Sequence, residues 1–135
     1  MDSKISLQQR PYELDDSVRS RAAIGLVVLA TDHVIEHEFR RILDIPGVGL
    51  FESRIRNETQ INSETLAAME SRLAEAVDLI LPGMPMDVVA FGCTSASMVI
   101  GPERITSLCR KSRPESLVDG QKDRIYPHER SKHPR

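Results

Sequence analysis

Cys93, Thr94 and Ser95 are the residues of this chain whose types and spacing could do chemistry. They follow the apolar run Val88 to Phe91 and Gly92, and they lead into a stretch that can be helical. A short continuous apolar run reads as a buried parallel strand. Gly92 then reads as the residue that lets the backbone turn tightly as it leaves the strand. A thiol and two hydroxyls would sit at the carboxyl end of a strand and the amino end of a helix, where open α/β sheets bind ligands. Free backbone N–H groups and the helix dipole favour an anion there. The same field draws a thiol toward its reactive thiolate form. These residue types also have plain structural uses: Cys as a small core hydrophobe, Ser and Thr as helix caps.

The elements that must position them are legible as alternating patterns. Ala22 to Ala30 is a second continuous apolar run and reads as a buried strand, with Thr31 and Asp32 at its carboxyl end. Asp32 there can cap the following helix. Val34, Ile35, Phe39 and Ile42 have helical spacing, which Pro46-Gly47 ends. Val48 to Ile55 reads as a third strand, and residues 56–62 as a polar loop. Ser63 is placed to cap a helix whose apolar stripe runs Leu66, Met69, Leu73, Ala76, Val77 and Ile80, up to Pro82-Gly83. Pro102 opens a last helix with Ile105, Leu108 and Cys109 on one side. Strands alternating with helices predict an α/β fold, a parallel sheet of about three strands with flanking helices and right-handed crossovers. Such a sheet brings Thr31/Asp32, Ser53/Arg54 and Cys93/Thr94/Ser95 to one edge, and Arg54 could pair there with a carboxylate.

Bulk properties bound the rest. The chain has 135 residues, 40% hydrophobic and 4% aromatic, enough for one domain with an aliphatic core. A net charge of -2 gives no reason to expect nucleic acid or an anionic membrane as a partner. No apolar run approaches the roughly 20 residues of a membrane-spanning helix. Met1 to Leu14 lack the apolar core of a secretory leader. Two cysteines, 93 and 109, make neither a disulfide framework nor a CxxC metal pair, so a reduced, cytoplasmic protein is expected. Residues 1–20 read as a flexible arm, 21–113 as the α/β unit, and 114–135 as a basic, disordered tail.

Ile24-Gly-Leu-Val-Val-Leu-Ala-Thr-Asp32, with Glu36 to Phe39 after it, resembles the opening of the aspartate/glutamate racemase superfamily. Phe91-Gly-Cys-Thr-Ser-Ala-Ser-Met-Val-Ile-Gly101 resembles the first-half active-site motif of its maleate cis-trans isomerase, arylmalonate decarboxylase and ectoine-utilisation branch. Ser63 to Met69 and Ile80 to Gly83 resemble the helix before that motif. The resemblance covers roughly residues 22–113. It implies one half of a two-domain racemase-like fold, with no cofactor and no metal, acting on a small carboxylate or dicarboxylate. By the same resemblance Cys93 is the catalytic thiolate. Thr94 and Ser95 hold a substrate carboxylate, and Thr31 and Asp32 line the substrate. Relatives are nearly twice as long and carry a second cysteine in a second half. They enter a fourth strand where this chain turns polar after Arg113-Pro114. The expectation is therefore a chain truncated to the N-terminal half, prone to homo-oligomerise through open sheet edges.

Three readings of function follow. The first is isomerisation, racemisation or decarboxylation of a small carboxylic acid by a cysteine thiolate. The second is a non-catalytic remnant that keeps an anion pocket. The third is a zinc hydrolase, since His33-Val-Ile-Glu36-His37 matches H-x-x-E-H, which on a helix puts two imidazoles on one face.

Overall fold

Strand β1, Ala22–Leu29, is the centre of the sheet. Its residues Gly25 to Val28 are all buried, which is why it reads as an unbroken apolar run rather than an alternating one. The computed structural model describes residues 11, 13, 15 and 17–118. The arm expected over 1–20 falls largely outside the described residues, though Ser17–Arg19 form a single 3-10 turn. Of the tail expected over 114–135, residues 119–135 also lie outside them.

After β1 come helix α1, Ile35–Ile42, and strand β2, Val48–Ile55. Helices α2, Ser63–Ala68, and α3, Glu70–Asp78, lead to strand β3, Val88–Phe91. Helices α4, Thr94–Ile100, and α5, Pro102–Ser112, lead to strand β4, Leu117–Val118. The described strands form one parallel sheet in the order β2-β1-β3-β4. The α/β parallel sheet is as expected. Its fourth strand is additional and falls in the stretch read as polar. Long-range bonds make it: Leu117 N–H donates to the Asp87 carbonyl at 2.9 Å, and the Ser116 hydroxyl to the Met86 carbonyl at 2.6 Å.

The two faces of the sheet are unequal. One carries the main core, including Val27, Ile55, Leu73, Val77, Val89, Phe91, Ile105 and Cys109, under α3 and α5. The other carries Leu26, Val28 and Ala90, covered by Ile35 and Phe39 of α1. The alternation of β1 side chains between these clusters is the two-residue period of a strand.

Two local expectations change. Asn62, not Ser63, caps α2: its Oδ1 accepts from Thr65 N–H at 2.9 Å, while Thr65 Oγ1 accepts from Asn62 N–H at 3.1 Å. The stripe from Leu66 to Ile80 spans two helices rather than one. The chain tightens at buried Met69, where Met69 N–H donates to the Leu66 carbonyl and Arg72 N–H to the Met69 carbonyl, three-residue steps at the junction of the two helices.

Candidate functional site at the carboxyl edge of the sheet

Cys93 opens α4 immediately after β3 and Gly92, as the residue pattern predicts. Gly92 itself works differently from the expectation. Its φ is not positive, so the turn does not require glycine. What requires glycine is close approach: a Cβ there would lie 2.8 Å from Ile35 Cδ1 and 3.1 Å from the Val27 carbonyl oxygen. Gly92 lets α1 press against the end of β3.

The Cys93 side chain joins the main core and keeps 8% exposure. Its carbonyl accepts from the Ser97 N–H at 2.9 Å and the Ser97 hydroxyl at 2.8 Å, which closes the first turn of α4. Thr94 and Ser95 are exposed. Their backbone N–H groups belong to the first helical turn, which has no intrahelical acceptors. Both cysteines are free thiols. Cys109 is fully buried in α5, and loss of solvent pushes its thiol up to about 11. It is a core residue.

The neighbouring strand β1 brings Thr31 and Asp32 to the same edge. Val27 lies opposite Phe91, the last residue of β3, and β1 runs two residues further, to Leu29, before Thr31 and Asp32. Asp32 caps α1 as expected. Its Oδ1 accepts from Ile35 N–H at 2.9 Å and Val34 N–H at 2.7 Å, and these bonds hold its carboxyl below the usual carboxylate range. Because the folded value is depressed, this contribution to stability is present above the ordinary carboxylate pKa of about 4 and is lost as pH falls through the folded value.

Strand β2 shapes that loop from the other side. Arg54 Nη1 donates to the carbonyls of Leu29, Ala30 and Asp32, at 3.2, 3.2 and 2.8 Å, and Nη2 pairs with Glu36 at 3.0 Å. The expected carboxylate partner of Arg54 is thus Glu36 of α1. Asn57, in the loop after β2, faces Thr31, with Nδ2 donating to Thr31 Oγ1 at 2.9 Å. No sequence signal singled out Asn57; an amide in a polar loop has no pattern until a partner strand is beside it.

The zinc motif does not assemble. Helix α1 begins at Ile35, so of the two histidines only His37 lies within its span. Glu36 is engaged by Arg54. Among the described residues, no group of three or more His, Cys, Asp or Glu could hold a metal ion.

Two surface grooves lie at the opposite, amino edge of the sheet. One, of about 310 Å³, is lined by Met84, Met86, Arg113 and Ser116. The other, of about 830 Å³, is lined by Arg21, Ala23, Asp87 and Leu117. Neither includes Cys93, Thr94, Ser95, Thr31 or Asp32.

No protein-family model matches the sequence, and no curated protein does. The fold is similar to that of a solved structure of the maleate isomerase Iso(C200A) from Pseudomonas putida S16 with maleate. It superposes with a TM-score of 0.50 and 19% sequence identity, over 72% of this chain and 44% of that one. The chain thus spans less than half the length of that isomerase. At this identity the likeness establishes the α/β architecture alone. No helix among the described residues is long and apolar enough to cross a membrane.

Proposed function

We propose that this chain belongs to the aspartate/glutamate racemase superfamily. Its reaction is the cofactor-independent isomerisation, racemisation or decarboxylation of a small carboxylic acid through Cys93. The observation that carries the reading is the convergence of Cys93, Thr94 and Ser95 with Thr31 and Asp32 at the carboxyl edge of two adjacent parallel strands. The shared fold of a maleate isomerase supports it.

For a cis-alkene dicarboxylate the chemistry balances without a co-reactant. The Cys93 thiolate bonds to one alkene carbon. The π electron pair moves onto the neighbouring carbon and its carboxylate. The resulting single bond rotates, the S–C bond breaks, and the double bond re-forms. Fixed N–H and O–H donors are needed where negative charge develops on the carboxylate, and Thr94 and Ser95 are placed to supply them.

The test is incubation with maleate, followed by proton NMR for fumarate, beside the Cys93→Ala variant. Fumarate from the wild type alone supports the reading. Equal, background rates from both proteins overturn the catalytic part.

A second reading is a non-catalytic anion-binding unit. It is favoured by the position of Cys109: among the described residues the other thiol is in the core and is no second acid or base. That reading predicts that a dicarboxylate slows alkylation of Cys93 and is recovered unchanged. Turnover rules it out.

A further inference from the structure

Asn57 and Thr31 make a closer unit than their separation in the sequence suggests. The Thr31 N–H donates to Asn57 Oδ1 at 3.3 Å, and this bond fixes which way the side-chain amide faces, because a backbone N–H must meet the oxygen. Asn57 Nδ2 then donates to Thr31 Oγ1 at 2.9 Å. That bond occupies one of the two lone pairs of the hydroxyl and leaves its proton, with one lone pair, to be placed. Within the pair its acceptor is Asn57 Oδ1, at 3.3 Å and already shared with the Thr31 N–H. An anionic oxygen arriving at exposed Thr31 is the better acceptor.

The strand order places this pair usefully. β1 lies between β2 and β3, so Asn57, Thr31 and Cys93 stand in that sequence along the carboxyl edge. Asp32, next in the chain, stays ionised and turns its Oδ1 to the Val34 and Ile35 amides, so the anion it neighbours must be held by donors strong enough to offset its charge. Arg54, held on three carbonyls and on Glu36, fixes the backbone on which Thr31 is carried.

We propose that Asn57 is a positioning and specificity residue of the candidate site: it presents the Thr31 hydroxyl as a donor to the second carboxylate of a dicarboxylate whose first carboxylate lies at Thr94 and Ser95. The proposal rests on the functional reading above, a dicarboxylate substrate included, and adds to it the residue that positions the donor for the second carboxylate.

The experiment is protection of Cys93 from iodoacetamide, read by peptide mass, with succinate as the dicarboxylate probe and butyrate as the monocarboxylate. The wild type is expected to be protected at lower concentrations of succinate than of butyrate. Asn57→Ala raises the succinate concentration needed by roughly tenfold, the loss of one hydrogen bond to a charged group, and leaves butyrate unchanged. A merely structural role would move both ligands together. Asn57→Asp keeps an acceptor for the Thr31 N–H but brings a negative charge, so it weakens succinate further than Ala does. If Asn57→Ala alters the melting curve, Thr31→Val, which keeps the branched shape and removes the hydroxyl, shows the same selective loss. Equal protection by the two ligands in the wild type, or unchanged succinate protection in folded Asn57→Ala, overturns the assignment while leaving the functional reading intact. No protection of the wild type by either ligand overturns both.

Discussion

Glu52 is where charge and burial conflict in this molecule. It projects from β2 toward α1 with 13% of its side chain exposed. One oxygen pairs with Arg40 at 2.7 Å, while Oε1 is buried with no hydrogen-bond partner. Burial raises its carboxyl above the usual range; Arg40 opposes that and Glu36 adds to it. A carboxyl whose folded pKa is raised favours the protonated form in the folded state. Its contribution to stability is whole below the unfolded pKa of about 4.3 and is lost as pH rises through the folded value. Glu52→Gln carries no charge at any pH. Its urea midpoint should therefore gain on the wild type as pH rises from about 4 to neutrality, the window set by the raised pKa. Two unfolding curves that keep a constant separation across that range would mean Arg40 fully offsets the burial. The residue scale also shows what sequence reading can reach. Cys93, Thr94 and Ser95 declare themselves by following an apolar run, and the structure puts them at the strand end. Asn57 has its role only because β2 lies beside β1, a fact about pairing rather than about its neighbours in the chain.

At the scale of elements, strands were the more legible. β2 runs over Val48–Ile55, the span its residues predict, because turn residues bound an unbroken strand-forming segment. The α2–α3 break was not legible, since apolar spacing continues through Met69 while the hydrogen-bond ladder shortens there. β4 was missed because two residues have no period, and its order comes from Asp87 and Met86, some thirty positions away. Gly92 was read as a turn and is a contact. Gly92→Ala should therefore destabilise by overpacking, about 1–3 kcal/mol, by pushing Ile35 and the start of α1 off the sheet. A denaturation midpoint equal to the wild type's would show that Ile35 moves aside freely. The joint between α5 and the end of α3 is held by Arg113, 7% exposed. Its Nη2 donates to the carbonyls of Ile80, of Leu81 at 3.2 Å and of Asp78 at 3.4 Å, just beyond the last turn of α3. A cation there also complements the helix dipole. Leu81 has a φ of 43°, a left-handed conformation that a Leu rarely adopts, so this turn depends on its anchors. Arg113→Met keeps the apolar stem and removes the donors. The expected loss is about 1–3 kcal/mol, because the buried Ile80 carbonyl loses its side-chain donor, while the Leu81 carbonyl keeps the Met84 N–H at 3.0 Å. Early amide exchange around residues 79–82 would locate the damage, and a uniform acceleration across the chain would point to a general rather than a local effect.

The molecule as a whole leaves more apolar surface open than its core requires. Its core is one-sided: among the described residues, Ile35 and Phe39 of α1 cover the second face. β2 ends the sheet on one side, and β4 ends the described sheet on the other with two residues. Unpaired strand edges present rows of backbone donors and acceptors to other chains. Beside the candidate site, Met98 of α4 is 81% exposed and Val99 43%. Single exposed apolar residues are ordinary; two adjacent ones on the helix that begins with Cys93 place apolar surface next to the chemistry. Self-association of the present chain is the expected result, and it should be sensitive to α4. In sedimentation velocity the wild type should shift to larger species with rising concentration. Met98→Glu adds a charge to an exposed helical position, costs little fold stability, and should move the distribution back toward monomer. If the wild type stays monomeric throughout, the open edges are covered within the chain. If it associates and Met98→Glu does not change the distribution, contact runs through an open edge of the sheet rather than through α4.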